Sequence, residues 1–179
     1  MNNTTQGRIG AGVGASVGKV VPGAFGMSGG VGYANIKLIN GLEVAAYAVV
    51  NSLGDIKNDK GEIIAGATLA NGSFANSETY LLATDFQGLP KQLNTTLIAI
   101  FTNGLFNKSE LKRIAKMASA GMARAISPVF SRFDGDILFC ASLGTQSASD
   151  LQVGAMAAEV VRQAIVNAVS QAVVLEKPI

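Results

Sequence analysis

The segment that most constrains the fold runs from residue 150 to residue 174 and is rich in alanine and valine. Glu159 and Arg162 are among its few charged residues, so a helix formed here is apolar around most of its circumference. A surface of that kind has to be buried against other elements. The segment therefore predicts a long helix buried between layers of a folded domain.

Alternating and continuous apolar patterns predict the rest of the fold. Strands are expected at residues 31–38 and 42–50, joined through the turn dipeptide Asn40-Gly41, and further strands at 63–67, 95–102 and 136–143. A helix is expected at residues 111–126, with Ser109 as its N-cap and Pro128 beyond its end. This order predicts an α+β domain in which helices cover a mainly antiparallel sheet.

A glycine-rich stretch at residues 7–32 contains Gly10-Ala11-Gly12-Val13-Gly14-Ala15, which matches a dinucleotide-binding fingerprint, and then Gly18-Lys19. The context argues against a phosphate site, because no apolar strand precedes Gly10 and Val20 stands where a Walker loop has Ser or Thr. Close backbone packing is the favoured interpretation. Residues 52–88 are rich in Gly, Asn, Asp and Ser and are expected to be mostly loop, where a processing site would be exposed.

The composition fits one domain over residues 1–179, since 49% of the residues are hydrophobic and 15% are charged. A net charge of +2 gives no reason to expect a nucleic acid or a membrane as partner. The first residues lack a basic and apolar leader, so a cytoplasmic protein is expected. The apolar excess favours a homo-oligomer.

The chain contains no histidine, which excludes Ser-His-Asp, Cys-His and His-metal schemes of hydrolysis. A hydroxyl that uses its own α-amine as base needs no histidine, but the chain must then be cut directly before that residue. Asn94-Thr95-Thr96 precedes the apolar run 97–101. Thr95 is therefore the candidate nucleophile, with the cut between Asn94 and Thr95.

Polar residues elsewhere allow more than one interpretation. Asp134 and Asp136 are two residues apart, which places both carboxylates on one face of an extended segment, although Asp-Gly-Asp is also common turn composition. Asn51 either closes a strand end or donates its amide to an oxyanion. Cys140 lies in an apolar strand and is expected to be a core thiol. No cofactor or metal is predicted.

Several stretches together resemble the DmpA-type aminopeptidase family, and in particular its nylon-oligomer (6-aminohexanoate-oligomer) hydrolase branch. They are residues 10–19, 48–55, 94–97, 124–128 and 133–136. The resemblance implies a DmpA/ornithine-acetyltransferase-like layered sandwich, with two sheets flanked by helices. Members of the family are normally much longer, so the resemblance implies that their large N-terminal part is missing here, because the chain is a fragment, a short homologue or the product of a gene whose true start lies upstream.

The resemblance also assigns roles to residues of this chain. It implies self-cleavage into residues 1–94 and 95–179, with Thr95 as the new N-terminal nucleophile. Asp134 and Asp136 match the acidic pair of the nylon-hydrolase branch. Asn51 matches the oxyanion asparagine, and Lys19 matches a lysine of the active-site cleft.

Two functions follow as hypotheses. The first is a self-processing N-terminal-nucleophile hydrolase that acts on small amide or peptide substrates, including aminohexanoate oligomers. The second is an uncleaved, non-catalytic fragment or assembly subunit of the same family. Denaturing electrophoresis separates the two, because only the first yields two chains.

Overall fold

The computed structural model describes residues 5–86, 88 and 94–175, with side chains described as far as residue 172. Residues 1–4, on which part of the expectation about a leader rests, lie outside the described residues. The strands are β1 (Ser16–Val17), β2 (Met27–Ser28), β3 (Gly30–Lys37), β4 (Glu43–Asn51), β5 (Asp55–Lys57), β6 (Ile63–Ala65), β7 (Thr95–Gly104), β8 (Ile126–Ser127) and β9 (Ile137–Gln146). The helices are α1 (Ser77–Ala83), α2 (Lys108–Ala125) and α3 (Asp150–Leu175).

The main sheet has four strands in the order β3-β4-β7-β9. The pairs β3–β4 and β4–β7 are antiparallel, and the pair β7–β9 is parallel. The predicted hairpin through Asn40-Gly41 is confirmed, with Gly41 at a φ of +85°. Two small sheets, β1-β2 and β6-β5-β8, lie outside the main one. The expectation of a mainly antiparallel sheet in an α+β domain is confirmed.

Helices α2 and α3 lie side by side on one face of the main sheet and form the core with it. The long helix predicted at residues 150–174 is confirmed, but it forms the outer layer beside α2 and does not lie between two layers. Its sides facing the sheet and α2 are buried, while Leu151 and Ala155 belong to a solvent-exposed stripe. Alternate residues of β4 and β7, Val44, Ala46, Ala48, Val50, Ile98 and Ile100, complete the core from the sheet side.

Glycines let the sheet and α3 approach each other closely. A Cβ atom added to Gly32 in β3 would lie 1.9 Å from the backbone oxygen of Ala164 in α3. In the glycine-rich segment, a Cβ on Gly12 would lie 2.7 Å from the backbone nitrogen of Val31. The interpretation of this segment as closely packed backbone is therefore confirmed.

The expected start of α2 is wrong. Helix α2 begins one turn earlier than expected, and its N-cap is Asn107, not Ser109. Asn107 accepts hydrogen bonds from the backbone of Ser109 and Glu110, while the Glu110 side chain accepts one from the Asn107 N–H.

The described part of the segment 52–88 is mostly loop, as expected, and it also contains β5, β6 and α1. The fully buried carboxylate of Asp55 accepts from the N–H of Ala67 at 2.8 Å, and from the N–H and hydroxyl of Ser77 at 2.7 and 2.9 Å. One side chain thereby joins β5 to the start of α1. A composition typical of loops did not signal this anchor.

The face of the main sheet opposite the helices is exposed and apolar. Tyr47, Leu97 and Phe139 on adjacent strands are exposed there, and the rings of Tyr33 and Tyr47 lie 4.8 Å apart. The glycine-rich segment borders this face at one end, where Ala11, Gly14 and Ala15 lie beside Val49 and Leu97. We call this side of the sheet the open face. No helix among the described residues has the length and apolar character required to cross a membrane.

The close approach of β3 to α3 yields a stability prediction. Gly32→Ala should lower the free energy of unfolding by about 1–3 kcal/mol or more, because its Cβ must displace the backbone at Ala164. Gly14→Ala is the matched control, since a Cβ there meets nothing within 4 Å. Denaturant unfolding measures both variants. Equal stabilities of the two would contradict the tight packing described above.

Candidate active site around Thr95

Thr95 is the first residue of β7. Because side chains alternate between the two faces of a strand, Thr95 and Thr96 project to opposite sides of the sheet. Thr95 projects toward the open face, whereas Thr96 is fully buried on the helix side. The Thr95 hydroxyl donates a hydrogen bond of 2.5 Å to the backbone carbonyl oxygen of Asn94. The hydroxyl and the predicted scissile bond are thus in contact.

Asn94 is held firmly on the other side of that bond. Its carbonyl oxygen also accepts from the backbone N–H of Gly135 at 2.8 Å, and its side-chain amide donates to the carbonyl oxygen of Phe133 at 3.2 Å. The residue is only 3% exposed. The predicted cleavage position is therefore buried and held by hydrogen bonds, and does not lie on an exposed loop.

Asn51, the last residue of β4, lies directly opposite Thr95 in the β4–β7 pair. Its side-chain oxygen accepts from the backbone N–H of Ser16 at 3.1 Å and from the ammonium group of Lys19 at 2.9 Å. These two donors fix the orientation of the Asn51 amide beside the threonine. The predicted residues Asn51 and Lys19 are therefore in direct contact, and Asn51 lies across the strand pair from Thr95.

Lys19 is a perturbed cation in this site. Burial lowers its pKa from 10.5 to about 8, and the negative charge of Asp134 acts in the opposite direction. Near neutral pH a small change of environment is therefore enough to alter the protonation of Lys19. Such a group can supply charge to a reacting carbonyl or exchange a proton with it.

The two aspartates flank Gly135 just before β9. Asp134 accepts from the N–H of Leu53 at 3.2 Å and from the hydroxyl of Ser131 at 2.6 Å, and its own N–H donates to the Ser131 carbonyl at 3.0 Å. Asp134 thus closes a turn, as its composition suggested, and also reaches the strand end that carries Asn51. The two interpretations of the Asp-Gly-Asp segment are therefore compatible, because the same turn also lies at the candidate site.

Asp136 is hydrogen bonded to β7, the strand that begins at Thr95. Its carboxylate accepts from the N–H of Thr96 at 2.7 Å and from the N–H of Phe130 at 3.1 Å. Burial raises the pKa of Asp136, the two backbone hydrogen bonds oppose this effect, and the charge of Asp134 adds to it. Two carboxylates that lie close together repel each other unless a cation compensates their charges. Lys19 can provide this positive charge, and so can an α-amine freed by a cut before Thr95.

A depression of about 250 Å³ adjoins Thr95 at the edge of the open face. It is lined by Ala11, Gly14, Ala15, Val49, Asn51, Thr95 and Leu97. The glycine-rich segment therefore contributes a wall of small residues to the site and forms no phosphate loop. A short apolar acyl group or side chain would fit such a wall.

Cys140 has the environment expected of a core thiol. Cys140 in β9 packs against the core, and burial raises its pKa to about 11, which disfavours the reactive thiolate. No group of three or more potential metal ligands is clustered among the described residues.

Sequence reasoning missed the residues that hold the site together, namely Ser16, Ser131 and Gly135. Ser16 and Gly135 act through their backbone N–H groups, and the amino-acid sequence alone does not show where such a group will point. Only Ser131 had a signal, because a serine three residues before an aspartate is a frequent turn pattern.

Comparison with known proteins identifies related chains. A family model described as Peptidase family S58 matches residues 1–178. An uncharacterized aminopeptidase of Mycobacterium leprae is 33% identical over 147 residues, which cover 80% of this chain and 38% of that protein. A 6-aminohexanoate-oligomer endohydrolase of Kocuria sp. is 29% identical, with coverage of 91% and 50%. The chain thus spans half or less of the length of these two relatives.

Solved structures establish the fold. The L-aminopeptidase D-Ala-esterase/amidase of Ochrobactrum anthropi, described as a variant of the Ntn hydrolase fold, matches with a TM-score of 0.63 and 20% sequence identity. The match covers 94% of this chain and 46% of that one. A β-aminopeptidase of Burkholderia sp. matches with a TM-score of 0.60, 20% identity and coverage of 92% and 46%. The predicted layered α+β fold, with sheets flanked by helices, is confirmed.

The environment of Lys19 yields a pH prediction. Its side-chain amine should titrate near pH 8 in the folded chain, and Asp134→Asn should lower this value further by removing the opposing charge. Because the unfolded chain keeps that proton up to about pH 10.5, the contribution of Lys19 to the free energy of unfolding should rise between pH 8 and pH 10.5. Carbon-detected NMR of labelled lysine measures the titration. An ordinary lysine pKa at Lys19 would contradict the prediction.

Proposed function

The chain belongs to peptidase family S58, and on that premise we propose that it is a self-processing amide hydrolase whose nucleophile is the hydroxyl of Thr95. The family resemblance read from the sequence motifs is confirmed by that membership. The observation that carries the proposal is the contact of the Thr95 hydroxyl with the carbonyl of Asn94. A nucleophile already in contact with the bond that must be cut needs no histidine to be positioned.

The burial of the bond supports cleavage by the chain itself. Asn94 is 3% exposed, and its carbonyl and side chain are both hydrogen bonded to the segment before β9. An external protease has to bind several residues around a scissile bond in extended form. The folded chain does not offer Asn94 in that way, so an intramolecular nucleophile is the better explanation for a cut here.

Self-cleavage would proceed by an acyl shift. The Thr95 oxygen attacks the carbonyl carbon of Asn94, the peptide bond to the Thr95 nitrogen breaks, and an ester between Asn94 and the Thr95 oxygen replaces it. Water then hydrolyses this ester, which leaves a carboxylate at Asn94 and a free amine and hydroxyl at Thr95. The products are residues 1–94 and residues 95–179.

Turnover would use the new α-amine as base. An α-amine has a pKa of about 7.7–8.0, which suits it to accept the hydroxyl proton near neutral pH. The Thr95 oxygen then attacks the substrate amide, the substrate amine leaves, and water releases the acyl group. Asp134 and Asp136 would orient the amine and stabilise its protonated form.

Asn51 and Lys19 would act on the substrate carbonyl. Asn51 faces Thr95 across the strand pair, and its oxygen is fixed by Ser16 and Lys19, which favours the use of its amide as an oxyanion donor. Lys19 would add positive charge beside the same carbonyl. We propose a small amide as substrate, peptide-like or of the aminohexanoate-oligomer type, in keeping with the names of the relatives.

We further propose that the open face is covered by a second copy of this chain. Adjacent strands expose Tyr47, Leu97 and Phe139 on it, a contiguous apolar patch of the kind that marks interfaces. The relatives are about twice as long as this chain, and a second copy would supply a comparable additional layer. The depression beside Thr95 opens onto this face, so the same contact would enclose the substrate.

Replacement of the nucleophile tests the proposed chemistry. Thr95→Ala should abolish both the cut and amide turnover, because no hydroxyl remains, whereas Thr95→Ser should retain part of the cleavage. Thr96→Val is the matched control, since it removes the neighbouring hydroxyl on the buried side of the strand. Denaturing electrophoresis with mass determination reports the cut. A single full-length band from the unsubstituted chain would instead favour the non-catalytic assembly subunit.

Substitution on the open face tests the association. The unsubstituted chain should behave as a dimer or larger in size-exclusion chromatography with light scattering, and Phe139→Glu should shift it toward the monomer by burying an unpaired charge. Leu151→Glu is the control, because Leu151 is 69% exposed on the outer side of α3 while Phe139 is 60% exposed on the open face. A monomeric unsubstituted chain, or equal effects of the two variants, would refute the second copy as occupant.

A further inference from the structure

We infer that the backbone N–H of Gly135 is the oxyanion donor of the self-cleavage step. This inference rests on the proposed function, since it concerns how the bond before Thr95 is cut. It assigns a role to a residue that side-chain reasoning passed over. It also separates the donor used for self-cleavage from the amide of Asn51, which is proposed to serve the substrate.

The distance supports the assignment. The Gly135 nitrogen lies 2.8 Å from the carbonyl oxygen of Asn94, within the range of about 2.7–3.1 Å expected of an oxyanion donor. When the Thr95 oxygen attacks, the carbonyl carbon becomes tetrahedral and its oxygen gains negative charge. In this intramolecular reaction that oxygen stays attached to a residue whose side chain is also pinned, so it remains close to the donor.

The position requires a glycine for reasons of space. A Cβ atom on residue 135 would lie 2.7 Å from the Thr95 hydroxyl oxygen and 3.6 Å from the carbonyl oxygen of Asn94. Any other side chain would therefore displace the nucleophile from the bond it attacks. The missing side chain lets the backbone of residue 135 approach the reacting atoms directly.

The donor is held rigidly on both sides. Asp134 is hydrogen bonded to the backbone of Leu53, and Asp136 to the backbone of Thr96 and Phe130. Such fixed dipoles stabilise developing charge without having to reorient during the reaction. The aspartates thus have a positioning role in self-cleavage, because they hold the peptide between them against β7.

The topology places the two proposed donors on opposite sides of Thr95. Asn51 belongs to β4 and Gly135 precedes β9, and β7 lies between these strands. The donor on the β9 side contacts the chain's own carbonyl. The donor on the β4 side borders the depression where a substrate carbonyl would lie.

An amide-to-ester replacement at residue 135 tests the inference. Glycolic acid in place of Gly135, introduced during cell-free translation, removes the N–H and adds no atom that could meet Thr95. Glycolic acid at Gly61 is the matched control, because Gly61 is exposed and its N–H donates only within a turn, to Asn58 at 3.1 Å. The time course of appearance of the 95–179 fragment is followed by mass spectrometry, which also recognises any hydrolysis of the introduced ester.

The ester at residue 135 should slow self-cleavage by about 10²–10³-fold relative to the ester at residue 61, as expected for the loss of one oxyanion donor. Equal rates in the two esters would overturn the inference about Gly135 and leave Thr95 as nucleophile. An unsubstituted chain that stays whole would overturn both. A cut that persists in Thr95→Ala would refute the proposed function by itself.

Discussion

The pairing of β7 with one strand on each side is the constraint on which the rest of the site depends. β4 runs antiparallel to β7, so its last residue, Asn51, meets the first residue of β7, Thr95. β9 runs parallel to β7, so the segment that enters it also arrives at that end. Three segments far apart in sequence therefore meet at the same end of the strands. If β9 ran in the opposite direction, the aspartates would lie at the other end of the strands.

Hydrogen bonds from backbone N–H groups fix the polar side chains at this end of the strands. Each of the two aspartates is fixed by main-chain N–H groups, and the Asn51 amide is fixed by the N–H of Ser16 and by Lys19. When these bonds form, only the side chains lose conformational entropy, because the backbone donors are already ordered by the fold. The charges are therefore presented in a fixed arrangement, and the burial that shifts the pKa values of Lys19 and Asp136 follows from the same packing.

Periodicity was sufficient to predict the principal elements. The long apolar helix, the hairpin and the strand beginning at Thr95 were predicted correctly because the apolar residues of each element recur at the spacing that its buried face, or faces, requires. Periodicity gave no signal for the N-cap of α2, nor for the anchor within the segment 52–88, where a single buried carboxylate, that of Asp55, joins β5 to α1. Motifs and the missing histidine indicated the candidate residues Thr95, Asn51, Lys19 and the aspartates. The contribution of Gly135 is a backbone contact created by strand register, and single-sequence patterns do not encode register between distant strands.

Thr95, the proposed nucleophile, lies between the packed helix side of the sheet and its open face. The proposed chemistry and the substrate specificity would therefore depend on different surfaces. On its helix side the sheet is fully packed, so Thr96 is buried while Thr95 projects from the other side. The described residues on that side supply the hydroxyl, the cation and the carboxylates, but only a shallow wall of small residues around them. Whatever covers the open face would then form the opposite wall of the substrate pocket. The reacting groups would come from this chain, while the shape that selects the substrate would arise from the contact that also stabilises the sheet.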